Sequence, residues 1–273
     1  MARSSTPKRL GLFVLGLLLL WIPVALPIVL LLGTQSNLTS ILIGVTLYSA
    51  LLGMVWIWGR WVWGLAEPFP TYGLQKNWQT GLDWVIGFGF ALLSLAGFFG
   101  VEWLLGLAQL QHQPVNWLAV WLNGFLVGVG VGFLEELFFR GWLLAELRIG
   151  YGLRRAAWIS SLIFALVHFL KPLNAILASW PQFPGLWLLG MLLVQAKQLR
   201  QGRLGLPIGL HGGWVCGITV VNIAGFIVYP QTVPKWITGI GGNPLAGMMG
   251  LLFLGLISLG FRWVSRIKLY VQQ

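Results

Sequence analysis

Long apolar stretches separated by short polar breaks run along almost the whole chain. A helix needs about 20 mostly apolar residues to cross the hydrocarbon core of a membrane. About eight stretches approach or exceed that length, and they predict spans at 10–33, 41–64, 84–108, 117–146, 153–173, 183–199, 204–228 and 244–264. The sixth is the weakest, because its unbroken apolar run covers only 183–194. The pattern therefore predicts an all-α fold, a polytopic bundle of about eight transmembrane helices.

Lysine and arginine residues fall in alternate connections between these spans. Only Lys171 and Lys235 lie on the other side of the membrane in this arrangement. Basic connections stay in the cytoplasm, so both termini are predicted to be cytoplasmic. The alternation also requires the weak sixth span, since without it later connections would change sides. We expect one multi-pass integral-membrane domain over 1–273, surrounded by lipids, with its functional core at about 115–230.

Composition supports the same class of protein. Of 273 residues, 58% are hydrophobic and 8% are charged, whereas about a quarter of the residues of a soluble domain are charged. A soluble globule and a disordered chain are both excluded. The net charge of +11 fits basic cytoplasmic connections better than a nucleic-acid partner, and none is expected. The single cysteine, Cys216, excludes an internal disulfide and a cysteine-ligated zinc cluster.

Two adjacent acids lie deep in the fourth predicted span. Glu135 and Glu136 follow an apolar run and lie ~17 Å from its cytoplasmic end at 1.5 Å per residue. An ionisable side chain at that depth is costly unless it is paired or faces a cavity. Glu136 and Arg140 are four residues apart, a spacing that predicts an ion pair on one helix face. Glu135 then has no local partner and becomes the candidate functional acid.

The remaining acids have simpler explanations. Glu67 lies in a connection, and Glu146 lies at a basic helix end. Asp83 lies at the cytoplasmic start of the third span, where an acid suits the positive end of the helix dipole. Glu102 falls near the outer end of the third span. None of these four is predicted to belong to a site.

Two histidines are predicted at a similar depth to Glu135, on two later helices. His168 lies in the fifth span, one turn after Phe164, and His211 lies in the seventh. A single buried histidine more often has a structural role. Two histidines and an acid on three deep helices instead indicate a shared site within one cavity.

Several hydrolytic mechanisms can be eliminated from the sequence. Asp83 is the only aspartate, so chemistry with two aspartates is impossible, and neither HExxH nor GxSxG occurs. A water molecule activated by Glu135, with help from His168 and His211, remains. The same three side chains could also hold a catalytic divalent metal such as zinc with one open position. A metal-free site is the other possibility.

These residues resemble the motifs of a known family. Glu135, Glu136 and Arg140 form EExxxR, Phe164 and His168 form FxxxH, and His211 follows in a later helix. The set is similar to that of the CAAX protease and bacteriocin-processing (CPBP) family of intramembrane proteases, which includes the type II CAAX prenyl endopeptidases.

The resemblance implies a role for each residue. Glu135 would be the general base, His168 would orient the water, and His211 would help to stabilise the oxyanion. Glu136, Arg140 and Phe164 would support the site, and the substrate would be a membrane-embedded or membrane-associated peptide or protein. The third motif of the family usually has Asn or Asp four residues after its histidine, but this chain has Val215.

Two other functions remain open. A non-proteolytic protein on the same scaffold would bind, protect or help to assemble a membrane partner, and it would need Glu136 and Arg140 but not Glu135 or His168. An ion-coupled transporter is less well supported, because such proteins usually have repeated halves and no repeat is visible here.

Overall fold

Helices account for nearly all of the fold. The computed structural model describes residues 4–34 and 36–271, with side chains described up to 266. Its helices are α1 (Thr6–Leu32), α2 (Asn37–Ile57), α3 (Pro68–Thr71), α4 (Trp78–Leu104), α5 (Trp117–Glu135), α6 (Leu144–Val167), α7 (Leu173–Ser179), α8 (Phe183–Leu199), α9 (Gly205–Ala224), α10 (Lys235–Thr238) and α11 (Met248–Val271). π-Helical turns cover Trp58–Val62 and Glu136–Leu143, and short 3₁₀ turns cover Trp180–Gln182, Ile240–Gly242 and Pro244–Ala246.

The predicted all-α membrane-spanning fold is confirmed. Seven helical stretches in the described residues are long and apolar enough to cross a membrane: Thr6–Leu32, Asn37–Val62, Trp78–Leu104, Trp117–Val167, Leu173–Leu199, Gly205–Ala224 and Met248–Arg266. The fourth has 51 residues, which is about 77 Å of helix and more than twice the hydrocarbon thickness. It breaks at Gly152, where φ is 74°, so it contains both the fourth and the fifth predicted spans.

Two helix boundaries differ from the prediction for local reasons. Helix α4 begins at Trp78 rather than at 84, because the Asn77 side chain caps it by accepting a 2.9 Å bond from the Thr80 backbone N–H. Helix α9 ends at Ala224 rather than at 228, because Gly225 adopts a left-handed conformation. The chain then forms a two-residue strand β2 (Ile227–Val228), which pairs antiparallel with β1 (Gln109–Leu110).

Helices α4, α5 and α9 form one closely packed group, with α9 in contact with both of the others. Glycines allow the close approach, as is common between membrane helices. A Cβ added to Gly128 of α5 would lie 2.3 Å from the carbonyl oxygen of Gly212 on α9. Helices α6, α8 and α11 form a second group, in which α8 packs against α6 and α11. The π-helical turn Glu136–Leu143 connects the first group to the second.

Replacing Gly128 by alanine is expected to destabilise the protein by about 1–3 kcal/mol, because the new methyl group would collide with backbone that cannot move aside. The matched control is Gly130→Ala on the same helix, where nothing lies within 4 Å of an added Cβ. Thermal unfolding in detergent should show a lower midpoint for the first variant and an unchanged or higher midpoint for the second. Equal midpoints would mean that the α5–α9 contact is not tight.

Candidate active site

The first motif lies where α5 leaves its regular helical geometry. Helix α5 ends at Glu135, and the π-helical turn begins at Glu136 and contains Arg140. In this turn the backbone N–H of Leu144 bonds to the carbonyl oxygens of Phe139 and Gly141 and skips that of Arg140. Such π-helical turns are uncommon and occur frequently at functional sites, because they reposition side chains within a helix.

Glu136 is the centre of a buried polar network. Its Oε1 accepts a 2.9 Å bond from Arg140 Nη1 and a 2.8 Å bond from His211 Nδ1. The Glu136 and Arg140 side chains are fully buried, so the ion pair predicted from their spacing is present. Because a carboxylate paired with a guanidinium only accepts hydrogen bonds, His211 must carry its proton on Nδ1. Its Nε2 then faces the other way, towards Glu135.

Glu135 lies at the edge of this network and retains some exposure. Its side chain is 20% exposed, and its Oε2 lies 3.9 Å from His211 Nε2. That oxygen is buried and has no hydrogen-bond partner within the described part of the chain. A gap of 3.9 Å is too long for a direct hydrogen bond, and it suits one water molecule that bonds to both groups.

His168 ends the helix that carries it, with its ring orientation fixed by the preceding turn. Its Nδ1 lies 2.7 Å from the carbonyl oxygen of Phe164. A carbonyl can only accept, so Nδ1 is the protonated ring nitrogen and Nε2 is not occupied by this bond. The fully buried Phe164 ring lies edge-on to the His168 and His211 rings, and the Arg140 guanidinium lies 4.2 Å from its centroid. Phe164 therefore packs against the guanidinium and against both histidine rings.

The structure brings all three predicted catalytic residues to one cavity. Glu135, His168 and His211 line a cavity of about 350 Å³, together with Val215 and Asn222 of α9. Most of the other lining residues are apolar side chains of α4, α8, α9 and α11. The far end is formed by the connection before α11, at 241–245. Asn222 reaches the cavity but lies ~10 Å further along α9 than Val215, so it does not replace the amide that the third motif lacks.

The connection at the far end is held by an acid that the sequence gave no reason to single out. Glu102 is fully buried and accepts a 2.9 Å bond from the Tyr229 hydroxyl. The Tyr229 ring lies against Gly242, which lines the cavity. Burial, followed by the charge of Glu102, raises the pKa of the Tyr229 phenol, so the phenol stays protonated and donates to the carboxylate.

Two of the remaining acids are also more enclosed than the sequence indicated. Glu146 is 1% exposed and accepts hydrogen bonds from Arg9, Trp58 and Trp63. These bonds tie α1 and the π-helical turn that follows α2 to α6. Asp83 is paired with both Arg200 and Arg203. Only a fold that brings distant segments together could reveal these partners, since each lies more than 80 residues away in sequence.

The residues as placed do not form a metal site. Among the described residues, no three His, Cys, Asp or Glu side chains are grouped closely enough to hold a metal ion. The proposed ligand set of Glu135, His168 and His211 lines one cavity without forming such a group. A divalent ion at this site stays a prediction.

The fold defines a polytopic helical membrane protein. Its Glu136 and Arg140 side chains are buried behind His211, which together with Glu135 lines a cavity between the helices. Residues 116–217 match the family model described as Type II CAAX prenyl endopeptidase Rce1-like. This segment contains all three motifs, and the match confirms the resemblance to CPBP-family proteases. It supports protease activity on membrane-associated proteins as the general class of function. No curated protein and no solved structure matches the chain significantly.

Proposed function

We propose that the protein is an intramembrane endopeptidase in which Glu135 activates a water molecule with help from His168 and His211. The observation that carries this proposal is the 3.9 Å gap between Glu135 Oε2 and His211 Nε2 at the cavity wall. Both atoms face the same space, and Glu135 Oε2 has no other partner among the described residues. A water molecule in that gap is within reach of a carboxylate base.

The hydrolysis follows from these positions. Glu135 removes a proton from the water as its oxygen attacks the carbonyl carbon of the scissile bond. His168 Nε2 accepts the second water proton as a hydrogen bond and fixes the direction of attack. In its protonated form, His211 donates from Nε2 to the oxyanion of the tetrahedral intermediate. Glu135 then gives its proton to the leaving nitrogen, the C–N bond breaks, and a carboxylic acid and an amine are released, which become a carboxylate and an ammonium group when the second water proton moves from the acid to the amine.

The buried ion pair prepares His211 for this role. Glu136 accepts from His211 Nδ1 at 2.8 Å, which fixes the ring and leaves Nε2 for the substrate. Arg140 balances the charge of Glu136 within the fully buried network. Neither Glu136 nor Arg140 lines the cavity, so both support the site from behind.

The cavity favours an uncharged, largely apolar segment of the substrate. Leu95, Phe98, Leu186, Leu189 and Phe253 line it, and these side chains offer no partner for a charge. Amide and hydroxyl groups come from Gln182, Thr219, Asn222 and Asn243. Such groups can bond to the backbone of an extended peptide without selecting a charged side chain.

A direct test is hydrolysis by the purified protein in liposomes. The probes are a synthetic farnesylated peptide ending in a CAAX sequence, the same peptide without the farnesyl group, and a pool of apolar peptides. In H₂¹⁸O, mass spectrometry should find products whose new carboxylate carries ¹⁸O. A difference between the first two probes tells whether the lipid is required. Cleavage that persists equally in Glu135→Gln would contradict the proposal, because it would arise elsewhere or from a contaminant.

Val215→Asn is expected to raise kcat by up to about 10²-fold, because one oxyanion-hole donor is worth about 10²–10³ in rate. The new amide would enter the cavity beside His211, four residues along α9. Ile218→Asn is the control, since it adds the same amide to the cavity at a different position. The measurement is kcat on whichever probe is cleaved. A gain in both variants, or in neither, would show that position 215 has no special relation to the oxyanion.

Val215 itself supports a second candidate function. A protein that kept the fold and lost hydrolysis would no longer need an oxyanion donor, and it would bind, protect or help to assemble a membrane partner. It would still need the buried Glu136–Arg140 pair. This function predicts no ¹⁸O incorporation from any probe and full complementation of a deletion strain by Glu135→Gln.

A further inference from the structure

The π-helical turn of the first motif is held by two side chains that no motif contains. Ser160 of α6 donates a 3.0 Å hydrogen bond to the carbonyl oxygen of Phe139. Lys197 of α8 donates a 2.6 Å bond to the carbonyl oxygen of Arg140, the one that the backbone N–H of Leu144 skips. The turn thus lacks some regular helical hydrogen bonds, and side chains of the second helix group donate hydrogen bonds to its carbonyl oxygens instead.

Lys197 makes these contacts in an unusual setting. It donates a second bond, 3.0 Å long, to the carbonyl oxygen of Tyr72. No carboxylate lies within ion-pair distance of its ammonium group among the described side chains. Its side chain is half-buried, and its ammonium group bonds to backbone carbonyl oxygens instead of to a carboxylate. Bonds from a charged donor to carbonyl oxygens are stronger than neutral ones, so this side chain holds the two backbone segments firmly.

The position of the turn explains why it must be held. Glu135 precedes the turn and packs with the α4–α5–α9 group that carries His211, whereas His168 follows the turn on α6. Glu136 begins the turn and Arg140 lies within it, so the turn sets how the guanidinium meets the carboxylate that holds His211 Nδ1. Ser160 lies on the part of α6 that follows the break at Gly152 and ends next to His168, so its bond to Phe139 also ties that part of α6 to the turn. A change in the turn would therefore disturb the contacts among Arg140, Glu136 and His211.

We infer that Ser160 and Lys197 are positioning residues of the active site: their bonds to Phe139 and Arg140 hold the π-helical turn that places Arg140 against Glu136, the carboxylate that orients His211. The role in hydrolysis rests on the proposed function, whereas the geometric role does not. Neither side chain touches the cavity, so both act through the turn.

The chain provides closely matched controls. Ser161 is the next residue to Ser160, equally buried, and its hydroxyl has no hydrogen-bond partner within the described part of the chain. Ser160→Ala and Ser161→Ala therefore remove the same atom from the same helix, and only the first removes a bond to the turn. For the lysine, Lys197→Met is compared with Lys197→Arg and with Lys76→Met, which removes an exposed charge.

The primary readout is the protonation pattern of His211, which does not depend on turnover. The chain has three histidines, so ¹⁵N-histidine labelling of the full-length protein in nanodiscs gives three ring systems that single substitutions can assign. In the wild type, His211 should show a proton on Nδ1, as its bond to Glu136 requires. Ser160→Ala and Lys197→Met should shift His211 towards a mixture of the two tautomers, with the proton on Nδ1 or on Nε2. Ser161→Ala and Lys76→Met should leave it unchanged, and Lys197→Arg should restore most of the wild-type pattern.

The second readout is kinetics on a cleaved probe. Lys197→Met should lower kcat about 10²-fold, the loss expected for a small misplacement of catalytic groups, and Ser160→Ala should lower it less. KM should stay the same, because the cavity lining is intact.

If Lys197→Met does not fold, Ser160→Ala decides the question alone. A His211 signal in Ser160→Ala identical to that in Ser161→Ala would overturn the inference. Shifted His211 signals in a protein that hydrolyses no probe would uphold the geometric role and reject the protease.

Discussion

Glu135→Gln is expected to lower kcat by about 10²–10⁴-fold, the contribution of a general base, while the protein remains folded. Glutamine keeps the size and hydrogen-bonding capacity of the side chain and removes only its ability to take a proton. Glu135 lies at the cavity wall with 20% of its side chain exposed and makes no direct hydrogen bond through Oε2 in the described structure. Little stability should therefore depend on its charge.

The measurement pairs single-turnover cleavage with thermal unfolding of the same preparation. Glu67→Gln is the matched control, because Glu67 is an exposed acid in the connection before α3, and it should retain full activity. His168→Ala should also lower kcat without lowering the melting temperature, although the lost Nδ1 bond to Phe164 removes some local order. If Glu135→Gln keeps wild-type turnover, the carboxylate is not the base and the non-proteolytic function becomes the better explanation.

Arg140→Ala is expected to have the largest effect on stability, a loss of about 3–5 kcal/mol of unfolding free energy. The substitution leaves the fully buried Glu136 without its cation, and it also removes the guanidinium from the Phe164 ring. A buried carboxylate without a counter-charge is far more costly than the pair that it replaces. The folded yield and the unfolding midpoint in detergent should both fall sharply.

Two further variants test whether the loss comes from the unpaired charge of Glu136. Arg200→Ala breaks an ion pair with Asp83 in which the arginine is 30% exposed, and Asp83 keeps Arg203, so its effect should be small. The double variant Glu136→Gln with Arg140→Met removes both charges, keeps an acceptor for His211 and should recover much of the lost stability. If Arg140→Ala has the same unfolding midpoint as the wild type, the ion pair contributes nothing to the stability of the fold.

The transmembrane architecture could be predicted because one physical requirement dominates it. Every backbone polar group in the hydrocarbon must be bonded within the chain, so a long apolar stretch can only be a helix. The 183–199 segment shows this well: its apolar run is short, yet the charge alternation required a span there, and α8 occupies it. The pairing of Glu136 with Arg140 could also be predicted, because residues four apart on a helix necessarily lie on one face.

Contacts between distant segments could not be predicted in the same way. Nothing in the sequence distinguishes Ser160 from Ser161, although only Ser160 bonds to the turn. Lys197 resembles an ordinary cytoplasmic lysine until α8 is packed behind Arg140. Glu146 and Glu102 seemed explained by their positions near helix ends, but their partners come from α1, the π-helical turn after α2 and the connection after α9.

The sequence by itself thus determined which segments are helices, which acid and histidines lie deep, and which pair of charges is local. Hydrophobic length and helical periodicity act within a few turns of one segment, and the sequence records them directly. The tertiary structure decided that Glu135, His168 and His211 share one cavity, that His211 is oriented by Glu136, and that a π-helical turn separates the two helix groups. These depend on how α5, α6, α8 and α9 rotate and pack against each other. That rotation is set by contacts between glycines and side chains from distant parts of the chain, which no local pattern specifies.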